Sequence, residues 1–124
     1  MNYVVRWSES NVSVRFEGAV TFRDVEDSGN DIFGDERFDR IELAIFDFSM
    51  ATTLDVSKME IRIISTLDTG ASRWNDRLKL ALVTNKNSPR ITKILAIYMR
   101  FMKGNNWKIE IFEEPQDALK WSSE

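Results

Sequence analysis

Residues 40–67 read RIELAIFDFSMATTLDVSKMEIRIISTL, and the pattern changes twice along them. From Arg40 to Phe48 the run Ile41, Leu43, Ala44, Ile45, Phe46 is nearly continuous in apolar residues. Such a run suits a strand covered on both faces, as in the middle of a parallel sheet. Ser49 to Asp55 is polar and has turn composition. Ser57-Lys58-Met59-Glu60 then has the S-x-x-E form of a capping box. A hydroxyl and a carboxylate there each take up one unpaired backbone N–H at a helix start. Val56 and Ile61 stand at the flanking staple positions, and an N-cap serine contributes about 1 kcal/mol. Met59, Ile63, Ile64 and Leu67 are expected to supply the core side of this helix. A strand that leads directly into a helix N-terminus is where α/β proteins commonly place their sites.

Towards the N-terminus, Tyr3 to Trp7 is rich in strand formers, and Ser8 to Asn11 has turn composition. Val12, Val14 and Phe16 alternate with Ser13, Arg15 and Glu17, giving a half-buried strand that Gly18 is expected to end. So short a connection requires an antiparallel hairpin. Thr21 with Asp24 resembles a capping box, with Val20 and Val25 as its staple. Phe22, Val25, Gly29, Ile32 and Phe33 recur at helical spacing before a stop at Gly34. The acidic residues of this region read as a solvated helix face. Towards the C-terminus, Arg77 to Thr84 is a further apolar strand and Asn85 to Asn87 a loop. Ser88-Pro89 is an N-cap followed by a first-turn proline. Ile91, Ile94, Leu95, Tyr98, Phe101 and Met102 form the inward stripe of the helix that follows, and Gly104 ends it. Trp107, Ile109 and Ile111 alternate in a last, half-exposed strand, and Glu114-Pro115 opens a short final helix. Trp107 and Trp121 are expected to pack together, and Trp74 to lie over the core as a lid.

The order β-β-α-β-α-β-α-β-α predicts one α/β domain over residues 1–124. It has an open, mixed, mostly parallel sheet of about five strands, an N-terminal antiparallel hairpin and four helices. The composition narrows the function. The chain has no Cys, which excludes disulfides, thiolate metal sites and a Cys nucleophile. It has no His, which removes the commonest general base and metal ligand. A net charge of −3 is a poor match for a nucleic-acid binder. No apolar run approaches the roughly 18–20 residues of a membrane-spanning helix. Met1 to Ser10 carries charge and lacks the apolar region of a signal peptide, so a cytoplasmic protein is expected. No cofactor is implied.

The element order, with its spacing, resembles the STAS domain. That family includes the bacterial anti-anti-sigma factors and the cytoplasmic domains of sulfate transporters. Its central strand is followed by an Asp-Ser-Ser-Gly turn at the start of a helix. Here the matching residues are Asp55, Val56, Ser57 and Lys58, so the Asp and the second Ser are kept while the first Ser and the Gly are not. The ending, Trp107 to Phe112 and then Ala118 to Trp121, is similar to a divergent, stand-alone branch of the fold. The resemblance implies a bacterial, regulatory, protein-interaction module that is not an enzyme. It also implies that Ser57 is a phospho-acceptor.

Three sets of residues are candidates for function. Ser57 can serve as an N-cap alone, or can also accept phosphate, which a helix N-terminus favours. Asp47, Thr52, Thr53, Asp55, Ser57, Thr84 and Asn85 are expected at the carboxyl edge of the sheet. They give the alternative reading, a small-ligand domain for an apolar or anionic molecule; turn and cap duty is the plainer explanation of most of them. The third helix, with Ile97, Arg100 and Phe101, is apolar around most of its circumference. Its wide stripe is covered by sheet and neighbouring helix, forms an interface with a partner or a second copy, or lines an apolar pocket or membrane contact.

Overall fold

The computed structural model describes residues 2–124. β1 (Tyr3–Trp7) and β2 (Asn11–Thr21) form the hairpin, and α1 (Phe22–Phe33) follows. A short 3-10 turn over Glu36–Arg40, not anticipated from the sequence, leads into β3 (Leu43–Asp55). Then come α2 (Lys58–Ala71), β4 (Lys79–Val83), α3 (Pro89–Phe101), β5 (Lys108–Phe112) and α4 (Pro115–Ser122). The strands lie in the order β1-β2-β3-β4-β5, antiparallel at the hairpin and parallel beyond it. Each parallel strand is laid beside its predecessor in one direction. Crossovers of one hand therefore carry α1, α2 and α3 to the same face, with α2 in the middle. α4 alone covers part of the other face, over Leu43, Ile45, Ala81 and Val83.

The helix starts are fixed locally, as their sequences predict. The Thr21 hydroxyl accepts from the Asp24 N–H at 3.3 Å, and the Asp24 carboxylate accepts from the Thr21 N–H at 3.0 Å. The Ser57 hydroxyl accepts from the Glu60 N–H at 3.2 Å, and Glu60 accepts from the Ser57 N–H at 2.9 Å. Ser88 caps Ile91 at 3.3 Å, with Pro89 in the first turn.

The central strands depart from the sequence reading. Gly18 does not end β2. It takes φ +70°, which glycine adopts without a Cβ clash, at a register shift, and the strand continues to Thr21. Likewise β3 does not stop at Phe48, and the polar stretch Ser49–Asp55 is strand, paired only with β2. β3 carries one extra residue between Asp47 and Met50 and another between Ala51 and Thr53. The first bulge inverts the phase of the strand and the second restores it. Phe46, Phe48, Ala51, Leu54 and Val56 therefore all face the helices although their spacing is irregular. Phe16 of β2 stacks on Phe48 with ring centroids 4.4 Å apart, at the centre of this face.

The helix-side core has two polar fastenings. Asn75 is fully buried, and its side-chain amide donates to the Phe38 and Ile41 carbonyls, each at 2.8 Å. Its own carbonyl accepts from the Trp107 indole N–H at 2.7 Å, so one residue joins the 3-10 turn, the α2–β4 loop and the start of β5. Trp107 thus packs on Phe33 and Phe38, not on Trp121, which lies against Phe112 across the sheet. Period-two alternation along β5 separates the two tryptophans. Trp74 is 78% exposed and covers nothing. The second fastening joins α2 to α3. The Tyr98 hydroxyl donates to Asp68 at 2.6 Å within an otherwise apolar lining. Burial pushes the Asp68 carboxyl up to about 7, against the opposing effect of the Tyr98 hydrogen bond. Burial, then the neighbouring Asp68, raises Tyr98 well above its usual range.

Asn75→Ala should leave two buried carbonyls and the Arg77 N–H without partners. It should lower unfolding free energy in urea by about 3 kcal/mol while the secondary-structure signal of the surviving fold is unchanged. Asp68 has a folded pKa above its unfolded one, so the folded state holds a proton that the unfolded chain has released. That stabilisation is fully present below about pH 4 and is lost as pH rises through about 7. Asp68→Asn should remove the loss: the variant should gain on wild type between these pH values, by at most about 4 kcal/mol, and no further above them. A constant difference between the two proteins across that range would contradict it.

Candidate functional site

The constellation expected at the carboxyl edge is divided by the fold. Asp47 lies mid-strand, opposite Val83 on one side and Arg15 on the other. It faces the α4 side of the sheet and accepts from the Ser49 N–H at 2.9 Å. The Arg15 guanidinium pairs with Glu17 at 3.0 Å, on the exposed sheet face. A shallow groove of about 410 Å³ crosses this face between Arg6, Trp7, Arg15 and Leu119. Thr84 is buried and shares a 2.7 Å hydrogen bond with Thr92, at the start of α3. The Asn85 side chain donates to the Ala51 carbonyl at 2.9 Å, continuing the sheet ladder past the end of β4. Thr84 and Asn85 therefore have structural partners within the fold.

Thr52, Thr53 and Asp55 do gather, with Ser88 and Arg90, around an open groove of about 240 Å³ between the end of β3 and the N-terminus of α3. Thr53 and Asp55 are exposed. Ser57 is also exposed, but its hydroxyl is engaged in the capping box of α2. The carboxyl displaced far upward is Asp68, in the core and away from these grooves' polar residues. Among the described residues, no three or more His, Cys, Asp or Glu side chains are grouped to hold a metal ion.

The wide apolar girdle of α3 is largely taken up by packing. Ile94, Ile97, Met99 and Phe101 are half-buried against the core, and the Arg62 guanidinium of α2 covers the Phe101 ring at 4.2 Å. Arg100 is exposed. Within the helix layer, the exposed large apolar side chains belong to α2 instead, contrary to the expectation that Met59, Ile63 and Leu67 face the core. They are 76%, 43% and 48% exposed and stand one turn apart, while Ile61, Ser65, Asp68 and Ala71 are buried opposite them. Of the four residues assigned inward, only Ile64 packs on the core.

The reason is that α2 has two apolar rows, and the inward row is interrupted by Ser65 and Asp68. Counting apolar residues selects the wrong one. The sequence did contain the correct signal: the staple places Ile61 over Val56, and Ile63 is 200° around the helix from Ile61.

No family model matches this sequence, and no curated protein matches it. Solved structures are similar over almost the whole chain. The anti-sigma factor antagonist SpoIIAA in its unphosphorylated form aligns with a TM-score of 0.65 at 13% identity, over 98% of this chain and 96% of that one. The Bacillus cell-fate determinant SpoIIAA in its phosphorylated form aligns at 0.59 and 15% identity, over 96% and 97%. An uncharacterised Shewanella loihica protein of the DUF3478 family, described as having a SpoIIAA-like fold, aligns at 0.56 and 13%, over 96% and 90%. The element order, the mixed sheet and these alignments together give the chain a STAS, or SpoIIAA-like, fold.

Proposed function

We propose that this protein is a non-enzymatic STAS-like interaction module that docks a protein partner through the outward face of α2. The observation that carries this reading is the row Met59, Ile63, Leu67. A helix needs one apolar stripe to join its own core, and this helix has a second one facing solvent. The row lies between two charged helices, an arrangement of apolar centre and polar rim that suits contact with another protein. The fold adds support: one structural neighbour is an anti-sigma factor antagonist.

On this reading Ser57 is the regulatory position. Its hydroxyl is exposed at the start of α2, two residues before Met59. A phosphate there would sit on unpaired N–H groups, add a charge near −2 beside the docking row, and expel the Glu60 carboxylate from the capping box.

Ile63→Asp should leave the unfolding temperature within a few degrees of wild type, because the side chain has little to lose from the core. In affinity capture from the native cell with quantitative mass spectrometry, the same variant should lose a partner that wild type retains. An unchanged partner set would remove α2 as the docking face.

A further inference from the structure

The three helices on the covered face of the sheet differ sharply in charge. α1 carries one arginine against four carboxylates, net −3; Asp31 is taken by the Tyr3 hydroxyl of β1 at 2.7 Å, and Asp24, Glu26 and Asp27 run along the first two turns. α3 carries Arg90, Lys93 and Arg100 and no acidic residue, net +3, and Lys103 follows it. α2 lies between them with its exposed apolar row, and its Arg62 leans to the α3 side, over Phe101. The layer thus runs from acidic through apolar to basic across its width.

We infer that this face is self-complementary and that its occupant is a second copy of the chain, packed with the two α2 helices side by side and parallel, about a two-fold axis that runs along them. The inference rests on the docking reading above and names its partner. Its basis is the order of the charges. When two such layers meet face to face about a two-fold axis in the plane between them, only two arrangements lay helix along helix. An axis across the helices sets α1 on its own copy and α3 on its own copy, like charge on like charge. An axis along the helices brings each acidic α1 to the partner's basic α3 and leaves Met59, Ile63 and Leu67 against their own counterparts. The charges therefore select the parallel arrangement. The apolar row is short beside the roughly 800 Å² per partner of a standard interface, so the dimer is weak and salt-sensitive.

The chain contains no cysteine, so single-cysteine variants report the geometry directly. Sedimentation equilibrium on the full chain should show a reversible dimer that dissociates as salt is raised. Ile63→Asp and the milder Ile63→Ser should both be monomeric with unfolding temperatures near wild type. Arg100→Glu should weaken the dimer about tenfold or more. Under mild oxidation, Met59→Cys alone and Leu67→Cys alone should each form covalent dimers. Preferential linkage of Met59→Cys to Leu67→Cys in a mixture would overturn the parallel arrangement. A wild type that stays monomeric at about 200 µM, yet holds a different protein through Ile63, would overturn the self-association and leave the docking reading intact. A monomer whose bound proteins are indifferent to Ile63→Asp would overturn both.

Discussion

β2 and β3 are paired from end to end, yet β3 spends thirteen residues on a length that β2 covers in eleven. The surplus is taken up in two bulges, and the rest of the architecture depends on where they fall. Without the first, Met50 would turn under the helices where Ala51, fully buried opposite Gly18, now sits. A methionine there needs room for three more heavy atoms in a closely packed interior, and overpacking of that kind commonly costs about 1–3 kcal/mol. Without the second, Leu54 and Val56 would face solvent and α2 would start from the wrong side of the sheet. The paired bulges keep one continuous apolar face from Ala44 to Val56 and deliver the chain to Ser57 already aimed at the helix layer.

The long β2–β3 ribbon also explains the small polar devices around it. Beyond Asp47, β3 has outrun β4, and its outer edge would present unpaired backbone groups. The Asn85 amide occupies part of that edge at the Ala51 carbonyl. On the other side β2 outruns β1, and Asn2 serves the same purpose, its carbonyl accepting from the Glu17 N–H at 3.0 Å. Asn85, which looks like a site residue in the sequence, is thus engaged in ending a sheet cleanly.

The strand order sets what the surface can do. Laying four parallel strands side by side in one direction places three helices on one face and leaves the central one with neighbours on both sides. Such a helix is covered beneath and laterally, so its only free surface points straight out. An apolar row in that position has no further partner among the described residues, whereas the apolar girdle of α3, at the side of the layer, is absorbed by α2, β3 and β5. The polar residues singled out in the sequence are scattered by the same geometry: Asp47 on one sheet face, Asp55 at the far end of β3, Asp68 in the core.

What the sequence determined by itself was whatever depends on near neighbours along the chain. The capping boxes at Thr21 and Ser57, the Ser88-Pro89 start, the hairpin and the alternation of strand and helix are set by residues three or four positions apart, and all are found in the structure. With βαβ chirality they suffice for the fold. Tertiary structure alone decided the length of β3, whose polar second half is strand because β2 supplies hydrogen bonds that no local pattern records. It decided the pairing of Trp107 with Asn75 in place of Trp121, since alternation sends the two tryptophans to opposite faces. The inner row of α2, by contrast, was marked locally by the staple of Ile61 on Val56, although a count of apolar residues selects the other row. The hydrophobic effect favours burial of either row; on the row that the staple turns inward, the buried Asp68 finds its partner in Tyr98 of α3, a contact that only the tertiary structure supplies.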